Sequence, residues 1–316
     1  VTTTVEATRR RLGRVGVWLN AVTTTAPADE QRRAAAAIER LGYGSVWTGE
    51  APGGRDVFVK LAIWLSATDR ITAGSGIANL LARPPVTTRG ASDTLADGFP
   101  GRFVLGIGVG HPRQAAGVGQ DYGRPLTRVR DYLGAMDDSS GGWLVPAAAP
   151  ALRPPRVLAA VGPKMLALAG ELTDGAHPFA SPVETTAAAR EILGPGKLLI
   201  PEQGLVYDPD PARARDAARA YRADVLKQME RAGGALALPY GRNLLRLGYT
   251  EEEITQVSDR VVDATIAHGD EEAIVRRIRE HLDAGADHVL VNPLGTDFPG
   301  IITALERLAP ALTDLS

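Results

Sequence analysis

Cysteine is absent from the 316 residues, which excludes disulfides, thiolate catalysis and cysteine-ligated zinc. Aromatic residues make up only 5% of the chain, too few for the sugar platforms of a glycoside hydrolase, although Glu50 and Glu202 would supply such an enzyme with two carboxylates. The net charge of −2 carries no basic stripe, so no nucleic-acid partner is expected. No apolar run is long enough to span a bilayer, and no membrane association is expected. The five histidines form neither a His-x3-His nor a His-Glu-x-x-His pattern, so no metal site is expected. Nucleotide signatures are missing too. The first apolar run leads into Asn20-Ala-Val-Thr-Thr rather than a Gly-x-Gly-x-x-Gly turn, and Gly194-Pro-Gly-Lys197 continues with Leu198, so it is no P-loop. There is no Gly-x-Ser-x-Gly elbow. Residues 1–12 lack the apolar core of a signal peptide. They read as a mobile N-terminal arm, and the expected location is the cytoplasm.

What the chain does have is regular alternation. With 44% hydrophobic residues, 13–316 can form a single domain around one large core. Apolar runs at 15–19, 45–50, 71–77, 101–111, 157–161, 176–179, 197–206 and 288–292 read as strands. Helical periodicity follows each, at 28–41, 56–68, 86–99, 126–136, 164–172, 183–193, 211–231 and 300–312. Strict β–α alternation implies a parallel sheet, and eight units favour a (β/α)8 TIM barrel over an open sheet. Two stretches break the pattern. An irregular Pro/Ala-rich linker covers about 137–156, and an insertion covers about 233–268, before the helix at 270–284 and the last strand. Pro201 predicts an irregularity inside strand seven.

In such barrels chemistry sits at the carboxyl ends of the strands. The fourth strand, Gly101-Arg-Phe-Val-Leu-Gly-Ile-Gly-Val-Gly-His111, alternates Phe103, Leu105, Ile107 and Val109 with Val104, Gly106, Gly108 and Gly110. Gly74 and Gly76 repeat the device on strand three. A glycine face admits either a tightly packed neighbour or a flat ligand. If both faces point inward, they clear a floor for a planar ring. The turn Gly162-Pro163-Lys164 opens a helix, where backbone N–H groups can hold a phosphate. His111, His177, Glu50 and Glu202 lie at strand ends and are the candidate catalytic acid–base groups, whereas His268, His281 and His288 read as structural.

The chain resembles the luciferase-like monooxygenase superfamily, and within it the F420-dependent oxidoreductase branch. The resemblance rests on Leu41-Gly-Tyr-Gly-Ser-Val-Trp47, Ala73-Gly-Ser-Gly-Ile-Ala-Asn79, the fourth strand with its Phe99-Pro-Gly start, Leu158-Ala-Ala-Val-Gly-Pro163, Asp174-Gly-Ala-His-Pro178, and His268-Gly-Asp-Glu-Glu with Ala284-Gly-Ala-Asp-His288. It implies a barrel that binds coenzyme F420, or alternatively FMN, at its carboxyl mouth, and transfers a hydride between the cofactor and a small organic substrate. It also implies a bulge after strand three with a non-prolyl cis peptide at Gly76–Ile77, and a homodimer. The implied cofactor contacts are Gly49, Ser75, Gly76, Ile77, Gly108, Gly110, Gln114, Ala160, Val161, Gly162 and Pro163. Trp18, Tyr240 and Arg242 are the implied substrate contacts. Gly49-Glu50 stands where many relatives carry an Asp-His pair, so a histidine beside the ring is missing there. That departure suggests a barrel that binds a deazaflavin without catalysis as one alternative; an FMN-dependent monooxygenase on the same barrel is another.

Overall fold

The computed structural model describes residues 4–19, 25–138, 153–231 and 234–315. The chain opens with α1 (Thr4–Leu12), β1 (Val15–Trp18), α2 (Ala28–Arg40), β2 (Ser45–Thr48) and α3 (Val57–Leu65). It continues through β3 (Thr72–Ser75), β4 (Ala78–Asn79), α4 (Pro85–Gly98), β5 (Phe103–Gly108), α5 (Pro112–Gly117) and α6 (Pro125–Asp137). Next come β6 (Arg156–Ala159), α7 (Pro163–Leu172), β7 (Gly175–His177), α8 (Val183–Leu193), β8 (Leu198–Leu199), β9 (Glu202–Tyr207) and α9 (Pro211–Arg231). The last part holds α10 (Pro239–Arg246), α11 (Glu251–Thr255), α12 (Asp259–Thr265), β10 (Ile266–Gly269), α13 (Glu271–Asp283), β11 (Val289–Pro293) and α14 (Phe298–Thr313). Asn20 and most of the expected 137–156 linker lie outside the described residues.

All strand pairs are parallel, in the order β10-β9-β11-β1-β2-β3-β5-β6-β7-β8, with β4 on β5. Ile200 and Pro201 alone separate β8, which ends this curled path, from β9, which is second from its other end. Proline has no N–H to give a ladder, and the break falls there. Hydrogen bonding nevertheless carries past it: Ile200 N–H donates to Ala176 and Glu202 N–H to Pro178, while the Pro201 carbonyl accepts from Leu290.

Four expectations are corrected. The supposed mobile arm contains the helix α1, whose Leu12 is buried and whose Arg9 pairs with Asp287 at 2.6 Å. Strand seven is two segments rather than one. The insertion holds three short helices and the added strand β10, which contains His268. No cis peptide occurs among the described residues, so Gly76–Ile77 is trans, although the bulge itself is present between β3 and β4.

Side-chain alternation sorts the core into two layers. Phe103, Leu105 and Ile107 join the layer between sheet and helices, together with Val17, Val46, Leu158 and Val291. Val104 joins the inner layer with Trp18, Trp47, Val157, Leu198, Leu290 and Leu12 of α1. The inner layer has a polar base. The Gly13 carbonyl accepts from His288 Nδ1 at 3.0 Å, and Trp47 Nε1 donates to Ser45 Oγ at 2.8 Å. Nδ1 therefore carries the imidazole proton, and Ser45 donates its own to Nε2 at 2.6 Å. A Cβ at Gly16 would overlap this pair.

The bulge after β3 is held by Ser75. Its Oγ accepts from Gly106 N–H and donates to the Gly106 carbonyl, both at 2.9 Å. A Cβ at Gly106 would overlap the Ser75 carbonyl oxygen, which is backbone and cannot rotate away. Gly106→Ala should therefore cost about 3 kcal/mol of stability by overpacking, read as a lower midpoint in urea at unchanged slope. A variant as stable as the parent would show that the bulge yields.

Candidate active site

A column of three rings rises to the floor of the site. His177 stacks between Trp47, at 5.8 Å between centroids, and Trp18, at 5.4 Å, and Phe179 leans on Trp18 at 5.0 Å. The glycines of strand three exist for this column. A Cβ at Gly74 would enter the Trp47 ring, and one at Gly76 the Trp18 ring. Gly108 makes room for the Ile77 side chain, and Gly110, at φ +63°, for Gln114 and Asn79. Of the two possibilities for the glycine faces, close internal packing applies to Gly74, Gly106 and Gly108. Gly49, Gly76 and Gly110 do border open space.

That space is a cavity of about 520 Å³ at the carboxyl ends of the strands. It gathers Trp18, Gly49, Glu50, Gly76, Ile77, Gly110, His111, Gln114, Ala160, Val161, Gly162, Pro163, His177, Tyr240 and Arg242 from the residues singled out in the sequence. Ser75, Gly108 and Glu202 are not on its surface; the first two support the bulge from behind. The aromatic wall of Tyr122, Phe179 and Tyr240 was not foreseen as a unit, nor were Leu126 and Met165, whereas Lys164 belongs to the expected phosphate turn. Arg246 had a legible signal, since it stands four residues after Arg242 behind Pro239, a residue that favours helix starts.

One rim is a fixed polar network. Glu50 accepts from the Asn79 backbone N–H at 2.9 Å and pairs with Arg83, which also reaches Asp56 at 2.8 Å. Asn79 donates to Gln114 Oε1 at 3.2 Å, and the same oxygen accepts the backbone N–H of His111 at 3.0 Å. Glu50 is thus neutralised and held in place. Asn79, buried and absent from the expected set, links the ends of strands two, three and four.

His111 caps α5 with its backbone, and its ring lies 5.9 Å from that of Tyr240. Its Nδ1 is buried without a hydrogen-bond partner, and burial lowers its pKa, so the ring is neutral near pH 7. Trp18 Nε1 and His177 Nε2 are likewise buried and unpartnered. His177 donates its Nδ1 proton to the Ile200 carbonyl at 2.7 Å, and burial takes its pKa down to about 4 against the Ile200 and Gly76 backbone contacts. Glu202 lies wholly buried behind Phe179 and Ala180. It accepts from Ala180 N–H at 2.9 Å and Asn292 Nδ2 at 2.7 Å, yet burial outweighs both bonds and raises its pKa to about 7. Tyr240 is pushed up to about 12, chiefly by burial and then by Glu202 and Tyr122.

The opposite rim is cationic. Lys164 stands at the start of α7, and Arg242 and Arg246 stand one turn apart on α10. None of the three forms an ion pair among the described residues. Asn243, between them, donates to Thr185 at 2.7 Å and ties α10 to α8. Among the described residues no three His, Asp or Glu side chains gather as metal ligands, and no helix is long and apolar enough to cross a membrane.

A ring-floored cavity at the carboxyl ends of a curled parallel sheet marks an α/β enzyme. The profile of the family described as luciferase-like monooxygenase matches residues 12–288, and the chain belongs to that family; it is an oxidoreductase. It is 34% identical over 184 residues to a Mycobacterium tuberculosis protein provisionally named a coenzyme F420-dependent oxidoreductase, covering 49% of this chain and about half, 53%, of that one. It is 26% identical over 287 residues to the 5,10-methylenetetrahydromethanopterin reductase of Methanolobus tindarius, covering 81% of this chain and 88% of the reductase. An F420-dependent secondary alcohol dehydrogenase solved with an F420–acetone adduct shares the fold, with TM-score 0.73 and 16% identity over 95% of this chain and 99% of that one. So does the EDTA monooxygenase of Chelativorans, with TM-score 0.70 and 15% identity over 96% and 94%.

Glu202 gives a pH signature of its burial. Its folded pKa of about 7 lies above the ordinary 4.5, so the folded chain holds an extra proton across that window. The stability this contributes is full at low pH and is lost as pH rises through 7. His177, His281 and His288 run the opposite way, with folded pKa values of about 4, 3 and 4, and lose stability on acidification. The stability of Glu202→Gln relative to the parent should therefore climb by about 3 kcal/mol between pH 4.5 and 7 and then level off, as read by urea unfolding across that range. A difference flat with pH would place a charged, solvated carboxylate at Glu202.

Proposed function

We propose that the protein is a coenzyme F420-dependent oxidoreductase on a (β/α)8 barrel, with β8 and β9 as two halves of one strand and an insertion before the last strand. The observation that carries this is the shape of the cavity. A flat apolar floor of Trp18 and the Gly76–Ile77 bulge lies at one end, and at the other lie Lys164 at a helix start with Arg242 and Arg246 on α10, none of them in an ion pair among the described residues. Three unpartnered buried polar atoms, on Trp18, His111 and His177, edge or underlie the same floor, as a ring with polar edges requires. The relatives named for F420 support the cofactor.

The ring would lie over Trp18 against Gly49, Gly76 and Ile77. The phosphodiester would sit at Gly162, Pro163 and Lys164, where the α7 start lacks a side-chain cap. When bound, the deazaflavin supplies or takes the hydride at C5. The chain does the remainder: it orients the partners, shields them with Tyr122, Phe179 and Tyr240, and moves one proton. His111 is the group we assign to that proton. A neutral imidazole with a free Nδ1 accepts it from a substrate hydroxyl during oxidation and returns it in the reverse direction. Glu202 lies off the cavity surface and is assigned no part in that proton transfer. FMN is the second reading, favoured by the monooxygenases that share the fold. We take the enzyme to act as a homodimer through α3 and α4, which adjoin and leave Val59 and Val86 exposed by 61% and 57%.

Fluorescence titration should show tighter binding of F420 than of FMN. His111→Ala should lower kcat/KM by roughly 10²–10⁴-fold while leaving the F420 dissociation constant within a few-fold of the parent. Tighter FMN binding would overturn the cofactor, and unchanged turnover would remove His111 from the site.

A further inference from the structure

The cationic rim holds more charge than a phosphodiester needs. A phosphodiester carries one negative charge, and the start of α7 already offers N–H groups and the positive end of a helix dipole. Lys164 stands beside that start. Arg242 and Arg246 are two further cations, four residues apart on one face of α10. Like charges at that spacing repel, and the Arg242 charge, after burial, lowers the pKa of Arg246. Neither guanidinium meets a carboxylate among the described residues; Arg246 gives one bond to the Asn243 side chain at 3.2 Å. Yet the pair is held in place. Asn243 is buried and bonded to Thr185, and a Cβ on Gly162 would lie 3.4 Å from Arg246 Nη2, so the guanidinium hangs directly over the start of α7.

We infer that Arg242 and Arg246 form a carboxylate-binding subsite for the acidic γ-glutamyl tail of the cofactor, just beyond the phosphodiester. This rests on the F420 reading above. Guanidinium groups pair with carboxylates through two parallel hydrogen bonds, which suits a tail with a carboxylate on every residue. The subsite lies on the insertion, and the ring lies on the strands, so the two ends of the cofactor are read by separate parts of the chain.

The test is a binding series by fluorescence quenching at low salt, using three forms of the deazaflavin: the nucleoside without phosphate, the phosphate-bearing form without glutamates, and the polyglutamylated cofactor. The parent protein should bind the polyglutamylated form about tenfold more tightly than the glutamate-free form, with the gain shrinking as salt is added. Arg242→Ala should erase that gain while leaving the nucleoside unaffected, Arg242→Lys should keep part of it, and Arg242→Glu should reverse it. Circular dichroism of each variant separates loss of the pair from loss of α10. Equal affinity for the two phosphate-bearing forms in the parent, or equal losses for both in Arg242→Ala, would overturn the tail assignment and leave the cofactor reading standing. If FMN binds and loses as much as the polyglutamylated form, the pair reads phosphate and the inference falls. If no deazaflavin form binds, the cofactor reading falls and takes this inference with it.

Discussion

The stack of Trp47, His177 and Trp18 is the constraint from which the rest of the molecule follows. Three rings in face contact fill the inside of the sheet from its polar base to the cavity. Their bulk forces glycine at positions 74 and 76, because any Cβ there would enter an indole. The bulge that follows needs space of its own, so glycine recurs at 106 and 108 on the next strand. The base of the column is closed by hydrogen bonds from Trp47 to Ser45 and from Ser45 to His288, and below them by Leu12. The floor of the cavity is therefore the top of a solid pillar.

The strand alternation, the two faces of the fourth strand and the helix start at Pro163 were legible because each is a local pattern of period two or of turn chemistry, whereas the bulge came only from the family resemblance. The column was not legible. Which indole meets which glycine is a matter of register between strands far apart in the chain, Trp47 with Gly74 and Trp18 with Gly76, and sequence spacing does not encode it. The same limit explains the glycine faces: their composition showed that something approaches closely, but only the register shows it to be Trp47, Trp18 and the Ser75 carbonyl. The helix α1 was missed because three consecutive arginines hide its one buried anchor, Leu12, and the pairing of Arg9 with Asp287 spans most of the chain. Strand seven was half legible: Pro201 flagged the break, but the carbonyl that keeps the pairing going is invisible to composition.

Electrostatically the site is divided. Glu50 and Arg83 neutralise each other on one rim, the three cations on the other form no ion pair among the described residues, and between them lie aromatic rings and the neutral His111 and His177. Such a layout separates holding from reacting. On the proposed reading, the charged end would fix a ligand's position and the uncharged centre would let a proton and a hydride move without a competing ion nearby.

The tie between α10 and α8 has a practical meaning. The pillar cannot be altered without rebuilding four strands, whereas the wall that faces it, Tyr240 with Arg242 and Arg246, hangs on an inserted segment tethered through Asn243 and Thr185. Variation is therefore cheap on one side of the cavity and expensive on the other. A library confined to α10 and its flanks would vary one wall of the cavity on an unchanged floor.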